Sequence, residues 1–196
     1  MYEQFLKRII DLVLVIIITV PLLVVGLLFS LLIKIDTKGS IFFRQKRLGE
    51  NGKEFEIYKF RTMVENAEKT GTGIFTSKRD PRITKVGKFL RKTSLDELPQ
   101  IINVFKGEMS LIGPRPPVPH HPYLYKDYTK IQKKRFKVKP GITGLAQATG
   151  RNQLTWDERI VYDVKYVENL TLLLDVKIIY KTFISIVFSK GVYSKK

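Results

Sequence analysis

The chain has 196 residues and no cysteine, which excludes disulfide bonds and thiol catalysis and is typical of a reducing compartment. Its 35 Lys and Arg against 18 Asp and Glu give a net charge of +17. This charge indicates polyanionic partners such as nucleic acid, anionic lipid headgroups or phosphorylated substrates, without choosing among them. The length accommodates one domain with an appended element.

The first predicted element is an apolar segment near the start of the chain. From Leu12 to Ile33 there are 22 residues without a charge. A straight helix of that length would reach about 33 Å, enough to span the hydrocarbon core of a bilayer. The segment is too long for a cleaved signal peptide, and no small-x-small cleavage site follows before Lys34. The sequence therefore predicts a membrane segment.

Two geometries stay open for this segment. Pro21 lies near its middle, where the ring removes a helical hydrogen bond and predicts a kink. Lys7 and Arg8 precede the segment, and Lys34 and Lys38 follow it, so the positive-inside rule favours neither orientation. A re-entrant hairpin with both ends on the cytoplasmic leaflet and a kinked single span both fit the residues.

A β-hairpin is predicted next. Ser40–Gln45 and Glu54–Met63 are rich in aromatic residues and flank a turn that contains Asn51-Gly52. Asn-Gly between such segments is a good hairpin signal. The second strand carries Lys59 and Arg61, and a solvated cationic face is the favoured interpretation of that pair.

A basic segment follows a predicted mobile loop at residues 65–77, which has little periodicity. Lys78–Lys92 contains seven basic residues and one acid. A solvated helix face and an anion-binding surface are both open for it. If the helix begins at Arg82, one stripe carries Arg82, Lys85, Lys88 and either Arg91 or Lys92.

Two adjacent acids, Asp96 and Glu97, come directly after this segment. Ser94–Glu97 matches a capping box, in which the Ser and Glu side chains would satisfy backbone N–H groups at a helix start. Pro99 argues against that interpretation because it would lie inside the helix. If Pro99 instead opens a helix that runs to Lys106, both acids lie ahead of it and are free for chemistry.

Adjacent carboxylates suit a division of roles in which one binds a metal and the other attacks a substrate. Mg2+ prefers oxygen ligands and is usually held by one or two carboxylates plus substrate phosphates. Glycoside hydrolysis needs carboxyl groups about 5 Å or more apart on opposite sides of a sugar, which neighbouring residues fit poorly.

Prolines flank an arginine in Gly113–Pro119. They restrict the backbone to extended conformations, so Arg115 is presented with little freedom and is suited to bidentate phosphate contact. His120 and His121 lack further ligands at the spacing of a zinc site.

The last third of the chain is basic and then apolar. Lys126–Lys139 has seven basic residues and one acid among aromatic side chains, which fits either an anionic membrane surface or nucleic acid. Pro140–Leu145 is predicted as a turn, and Thr155–Glu158 as a second capping box that starts a helix. Leu170–Phe188 is interrupted by charges, which favours an interfacial or core-packed helix.

Taken together, the motifs resemble one family, the small monotopic polyprenyl-phosphate phosphoglycosyl transferases, or bacterial sugar transferases. No single motif would be sufficient, but the set is specific and extends over nearly the whole chain. The motifs are Lys7–Asp11, Tyr58–Met63, Thr93–Gln100, Ile112–Pro116 and Lys139–Leu145.

The resemblance implies an activity. It is transfer of a phosphosugar from a nucleotide diphosphosugar, usually a UDP-sugar, to polyprenyl phosphate, as the first membrane step of glycoconjugate or exopolysaccharide assembly. In the family the Asp of the acidic pair forms a covalent phosphosugar intermediate and the Glu binds Mg2+, which implies those roles for Asp96 and Glu97. Arg115 is implied to contact phosphate. The further candidates for phosphate binding are Arg91, Lys59, Arg61 and Arg82.

The resemblance also implies an architecture. The fold class is α+β and mainly helical, with a re-entrant membrane helix hairpin in residues 1–36 and a cytoplasmic, membrane-associated catalytic domain in residues 37–196. A small β-hairpin and amphipathic interfacial helices would surround an active site at the cytoplasmic face of the bacterial inner membrane. Family members break the re-entrant helix at Ser-Pro, whereas this chain has Val20-Pro21, so the bend would rest on Pro21 alone.

The expected partners are the nucleotide diphosphosugar, polyprenyl phosphate and an anionic phospholipid membrane, without nucleic acid; self-association is left open. An alternative function is a membrane-tethered basic protein that binds nucleic acid or anionic lipid without catalysis. Such a protein would be indifferent to changes at Asp96 and Glu97.

Overall fold

The computed structural model describes residues 2–67, 80–150 and 153–187. Within them the chain is mainly helical with two small sheets, which confirms the predicted α+β class. The predicted loop at residues 65–77 lies mostly outside the described residues. The helices are α1 (Lys7–Asp36), α2 (Lys85–Thr93), α3 (Ile101–Lys106), α4 (Leu145–Gly150), α5 (Trp156–Glu168) and α6 (Leu172–Val187). The strands are β1 (Phe42–Leu48), β2 (Glu54–Phe60), β3 (Ser110–Ile112) and β4 (Gly141–Thr143).

The apolar segment forms α1, which follows a π-helix at Tyr2–Leu6 and continues through Pro21 without interruption. By length and composition alone, α1 is able to cross a membrane. Its buried residues recur every four positions near each end, whereas side chains next to Pro21 such as Ile17 and Val20 are exposed. The buried residues are Lys7, Asp11, Val15, Phe29 and Ile33.

Both ends of α1 contact the rest of the chain. Near its start, the Lys7 ammonium lies 2.6 Å from an Asp175 carboxylate oxygen on α6. At its end, the Asp36 carboxylate accepts a hydrogen bond of 2.8 Å from the Val86 N–H on α2. The helix therefore packs against one folded body at its two ends and leaves its middle exposed.

The β-hairpin is confirmed. β1 and β2 pair antiparallel with Phe42 opposite Phe60. The chain reverses at Asn51 and Gly52, which have φ values of 55° and 75°, a left-handed conformation that Asn and Gly tolerate best. β1 extends to Leu48, three residues beyond the predicted end at Gln45.

The basic segment forms α2, which begins at Lys85 rather than at Arg82. The Thr84 hydroxyl accepts a hydrogen bond of 2.9 Å from the Gly87 N–H and caps the helix. Arg82 thus lies ahead of the helix and outside the predicted stripe, which is a correction. A Cβ on Gly87 would collide with the Thr62 carbonyl, so glycine lets α2 lie directly on that backbone.

A second sheet was not predicted. β3 and β4 pair in parallel, with Ser110 opposite Gly141. The segment Pro140–Leu145, predicted as a turn, therefore contains a strand. Any side chain on Gly141 would collide with the Gly113 backbone. Glycine at this position therefore lets β4 lie close to the backbone that follows β3.

The predicted capping box at Thr155–Glu158 is confirmed at the start of α5. The Glu158 N–H donates to the Thr155 hydroxyl, and the Thr155 N–H donates to the Glu158 carboxylate. The final apolar segment forms α6, whose exposed side chains are largely apolar. They include Leu172, Leu173, Val176, Ile179 and Phe183.

Candidate active site

The acidic pair lies in a tight turn between α2 and α3. Ser94 has a left-handed φ of 60° and ends α2, and a 3-10 helix follows at Leu95–Gln100. The Ser94 side chain makes no capping hydrogen bond, so a capping box at this position is wrong. Pro99 lies within the 3-10 helix and α3 begins two residues later, which corrects the predicted helix start. Both acids nevertheless precede the α-helix, as expected.

Two cations converge on one oxygen of Glu97. The Lys59 ammonium, from β2, donates a hydrogen bond of 2.6 Å to Glu97 Oε1. Arg115 Nη2, from the proline-flanked segment, donates to the same oxygen at 2.9 Å. A solvated face was the favoured interpretation of Lys59, and it is wrong because the side chain is partly buried and paired. Residues from β2, from the 3-10 helix and from the proline-flanked segment therefore meet at the Glu97 carboxylate.

The neighbouring acids have opposite electrostatic environments. Burial raises the pKa of Glu97, but the charges of Arg115 and Lys59 and their hydrogen bonds outweigh it and hold that pKa well below its usual range. Burial also raises the pKa of Asp96; Lys59 is the strongest charge that opposes this rise, and the Glu97 charge adds to it. Glu97 is thus a firmly ionised carboxylate, and Asp96 is the more basic of the two.

Arg91 belongs to the same site. Its Nε donates a hydrogen bond of 2.8 Å to the Thr62 hydroxyl. Its charge is also among those that lower the pKa of Asp96 against the larger effect of burial. The structure therefore brings together Asp96 and Glu97 with three of the predicted phosphate-binding residues, Lys59, Arg91 and Arg115.

Arg61 and Arg82 have other partners. Arg61 Nη2 donates to the carbonyl and hydroxyl of Thr37 at 2.7 and 2.9 Å, just after α1 ends. Arg82 forms a bidentate pair with Asp80 at 2.9 and 2.6 Å. The Arg61 bonds hold the residue that follows α1, and the Arg82 pair closes the turn ahead of α2. Phosphate binding by the two arginines stays a prediction outside the candidate site.

The backbone around Arg115 forms neither helix nor strand and is held by its neighbours. The Leu48 N–H donates to the Pro117 carbonyl at 2.9 Å, and the Gly141 N–H donates to the Pro114 carbonyl at 3.0 Å. Arg135 Nη2 donates to the carbonyl of Arg115 itself at 2.9 Å. The guanidinium of Arg115 is therefore presented from a fixed main chain.

Arg135 is a residue that sequence reasoning misplaced. It was grouped with a basic surface at Lys126–Lys139, but its side chain is 1% exposed and pairs with Asp163 on α5. Burial raises the pKa of Asp163 to about 6, with Arg135 opposing that rise. One signal for a buried partner was present in the sequence. In the helix predicted after Thr155, the acid Asp163 lies between the apolar residues Ile160 and Val164, which are both buried.

The carboxylates fit a magnesium ion chemically. Both cations bond Oε1 of Glu97, which leaves Oε2 as an oxygen ligand of the kind that Mg2+ prefers. Among the described residues there is no group of three or more His, Cys, Asp and Glu side chains that could hold a metal. A site of this type would need substrate phosphates to complete it, as is usual for Mg2+.

Comparison with known proteins assigns the chain to a family. A sequence profile of the bacterial sugar transferases matches residues 2–189. The chain belongs to the bacterial sugar transferase family. It is 39% identical to the exopolysaccharide production protein ExoY of Sinorhizobium fredii, with 95% of this chain and 88% of ExoY covered.

Other bacterial sugar transferases have more specific names. The chain is 39% identical to UDP-glucose:undecaprenyl-phosphate glucose-1-phosphate transferase of Escherichia coli. It is 40% identical to undecaprenyl-phosphate galactose phosphotransferase of Salmonella typhimurium. Each alignment covers 97% of this chain but 42% of the relative, so the chain spans less than half the length of these two proteins.

Family membership confirms the resemblance that the motifs indicated. It also confirms that this bacterial sugar transferase is an enzyme of the transferase class. A membrane-tethered basic protein without catalysis is disfavoured, because the profile covers the acidic pair and the segment of Arg115 alike.

Proposed function

We propose that the chain transfers a phosphosugar from a UDP-sugar to a polyprenyl phosphate such as undecaprenyl phosphate. The observation that carries this proposal is the pairing of Glu97 with Lys59 and Arg115 next to a more basic Asp96. The name of the Escherichia coli relative supports a UDP-sugar donor, and its name and that of the Salmonella typhimurium relative both support undecaprenyl phosphate as the acceptor. Those names specify glucose in one and galactose in the other. ExoY supports a place in exopolysaccharide production.

In the proposed reaction a carboxylate oxygen of Asp96 attacks the β-phosphorus of the UDP-sugar. The bond from that phosphorus to the bridging oxygen breaks, UMP leaves, and a phosphosugar is covalently bound to Asp96. An oxygen of polyprenyl phosphate then attacks the same phosphorus and displaces the Asp96 carboxylate. Division of one displacement into two steps is the general advantage of a covalent nucleophile.

The cations of the site stabilise charge on the transferred phosphoryl group. Arg115 donates to Glu97 yet keeps 31% of its side-chain surface exposed, so further N–H groups are accessible to a phosphate. Arg91 is oriented by Thr62 towards the same cluster. Lys59 stabilises the ionised form of Asp96 and orients Glu97.

Glu97 is the proposed protein ligand of Mg2+, with substrate phosphates as the other ligands. When bound, the ion would supply positive charge that neutralises the diphosphate and makes UMP a better leaving group. The low pKa of Glu97 keeps it ionised, which is the form that a metal ligand requires.

The contacts of α1 support a monotopic arrangement at the cytoplasmic face of the inner membrane. A helix that crossed the bilayer would place its two ends on opposite sides, whereas Lys7 and Asp36 both contact the same folded body. We infer that residues 1–36 enter and leave one leaflet with a bend at Pro21, and that residues 37–196 form the catalytic domain. The exposed apolar side chains of α6 would lie at the same interface.

The proposal is tested by release of UMP. The purified chain is incubated with a panel of UDP-sugars, undecaprenyl phosphate and Mg2+. At least one sugar should give UMP and lipid-linked phosphosugar, and chelation of Mg2+ should stop the reaction. Glu97→Gln should lower the release of UMP. Its matched control is Glu54→Gln, which removes a carboxylate from an exposed ion pair with Lys46 on the hairpin and should leave the release of UMP unchanged. The absence of UMP release with every UDP-sugar would overturn the proposed function.

A further inference from the structure

A second acid–base pair lies directly behind the site. Arg135 is in a 3-10 helix at Gln132–Phe136, and Asp163 is on α5. Their side chains are each 1% exposed, and Arg135 Nη2 lies 2.5 Å from Asp163 Oδ2. The same Nη2 donates to the carbonyl of Arg115 at 2.9 Å. One buried nitrogen thus joins α5 to the residue that contacts Glu97.

Stability alone is a poor explanation of this pair. Burial of two charges costs free energy, and well-packed apolar residues of similar volume often stabilise a protein as well or better. The polar pairing is also incomplete, since Asp163 Oδ1 has no hydrogen-bond partner in the described structure. The adjoining cavity, lined by Arg115 and Arg135, has a volume of about 10 Å³, about the size that holds one water.

The contact with Arg115 indicates a role for the pair other than stability. The bonds from Leu48 and Gly141 fix the carbonyls of Pro117 and Pro114, on either side of Arg115. In the described structure only Arg135 donates to the carbonyl of Arg115. The orientation of that peptide sets the direction in which the long arginine side chain leaves the backbone. In enzymes, a misplacement of about 1 Å can cost about 100-fold in rate.

We propose that the buried Arg135–Asp163 pair is a positioning device that fixes the main chain of Arg115 and thereby aligns its guanidinium with the diphosphate of the substrate. This inference rests on the proposed function, because it assigns Arg115 to phosphate. Arg135 and Asp163 act through Arg115 and do not touch the reacting atoms.

The chain contains a matched control. Lys134, the neighbour of Arg135 on the same 3-10 helix, pairs with Glu168 on the same α5 at 2.6 Å. Those side chains are 40% and 48% exposed, and a surface pair of this kind contributes little to stability. Glu168→Gln therefore removes an ion pair between the same two elements without a contact to Arg115.

The experiment compares Asp163→Asn, Arg135→Lys and Glu168→Gln by kcat/KM for the UDP-sugar and by melting temperature. Asp163→Asn and Arg135→Lys should each lower kcat/KM at least tenfold at temperatures where the variants stay folded. Glu168→Gln should change kcat/KM less than twofold. Because Arg135→Lys retains a cation beside Asp163, it keeps the test open if Asp163→Asn does not fold.

A double-mutant cycle separates positioning from a merely structural role. In an Arg115→Lys background the flexible ammonium depends less on the orientation of its peptide. The loss caused by Arg135→Lys should therefore shrink from at least tenfold to less than threefold. Equal losses in both backgrounds, or no loss in either, would overturn the positioning role. If the wild-type chain itself releases no UMP, the proposed function fails instead.

Discussion

At the scale of residues, Asp96 and Glu97 show how neighbours in sequence acquire different chemistry. Glu97 receives hydrogen bonds from Lys59 and Arg115, whereas no hydrogen bond to the Asp96 side chain is found in the described part of the chain. The burial that raises both pKa values is therefore outweighed at Glu97 and not at Asp96. A carboxylate that is less stabilised is the better nucleophile, which supports Asp96 for that role.

The influence of Lys59 on Asp96 can be measured. Lys59 is the strongest charge that opposes the raised pKa of Asp96, so Lys59→Met should raise that pKa further. Since attack requires ionised Asp96, the fall of kcat/KM on the acid side should move to higher pH in the variant. UMP release across the pH range checks this shift.

Lys46→Met is the control for this prediction, because Lys46 makes an exposed ion pair with Glu54 on the same hairpin. Its acid limb should match that of the wild type. An acid limb that is unchanged in Lys59→Met, or that moves to lower pH, would contradict the assignment of Lys59.

Sequence reasoning found the site residues that belong to compact motifs. Asp96 and Arg115 each lie in a short, distinctive segment, and the resemblance to a family gave them roles. The pair Arg135 and Asp163 was missed because its members are 28 residues apart and no local pattern joins them. Pairs that form only through tertiary packing are not visible as periodicity.

At the scale of elements, one pattern had two outcomes. Thr155–Glu158 and Ser94–Glu97 both match a capping box, but only the first forms one. Glu158 has its own N-cap backbone as partner, whereas the Glu97 carboxylate is held by Lys59 and Arg115 from other elements. The local pattern predicts a cap only where no tertiary partner competes for the acid.

This difference gives a stability prediction. Thr155→Ala removes a real capping bond and should destabilise the fold by about 1 kcal/mol. Ser94→Ala removes no such bond and should cost clearly less. The melting temperatures of the two variants in the same detergent provide the comparison, and an equal loss from Ser94→Ala would mean that its hydroxyl does cap a helix.

The strands show a similar limit. The hairpin of β1 and β2 was predictable because its turn is local, with Asn51-Gly52 between aromatic segments. β3 and β4 have three residues each and pair across a long intervening segment, so neither contains enough residues for a recognisable alternation. The start of α2 was predicted three residues early because Asp80 draws Arg82 into the preceding turn.

At the scale of the whole molecule, the apolar helix and the folded body form one packed unit. Val15 packs with Ile57 and Met109, and Phe29 packs with Phe60 and Leu90, so the two halves of α1 meet different parts of the core. The sequence predicted a membrane segment from its composition. Composition alone fits both a span and a hairpin; the resemblance to the family predicts the hairpin, and the contacts at both ends of α1 are consistent with it.

The topology can be tested by labelling. The chain has no cysteine, so Tyr2→Cys and Lys38→Cys each give a unique label at one end of α1. Both should react with a membrane-impermeant thiol reagent from the same side of inverted vesicles as Lys53→Cys on the exposed hairpin turn. Reaction of the two ends from opposite sides would establish a span and end the monotopic account.

Asp96 is proposed to carry the phosphosugar as a covalent intermediate, and that intermediate can be trapped. The chain is incubated with its UDP-sugar and Mg2+ in the absence of polyprenyl phosphate and then analysed by intact mass and peptide mapping. We predict a mass increase of one phosphosugar on the peptide that contains Asp96, with an equivalent of UMP released and no adduct on Asp96→Asn. Full phosphosugar transfer by Asp96→Asn, or an adduct on another residue, would contradict the account.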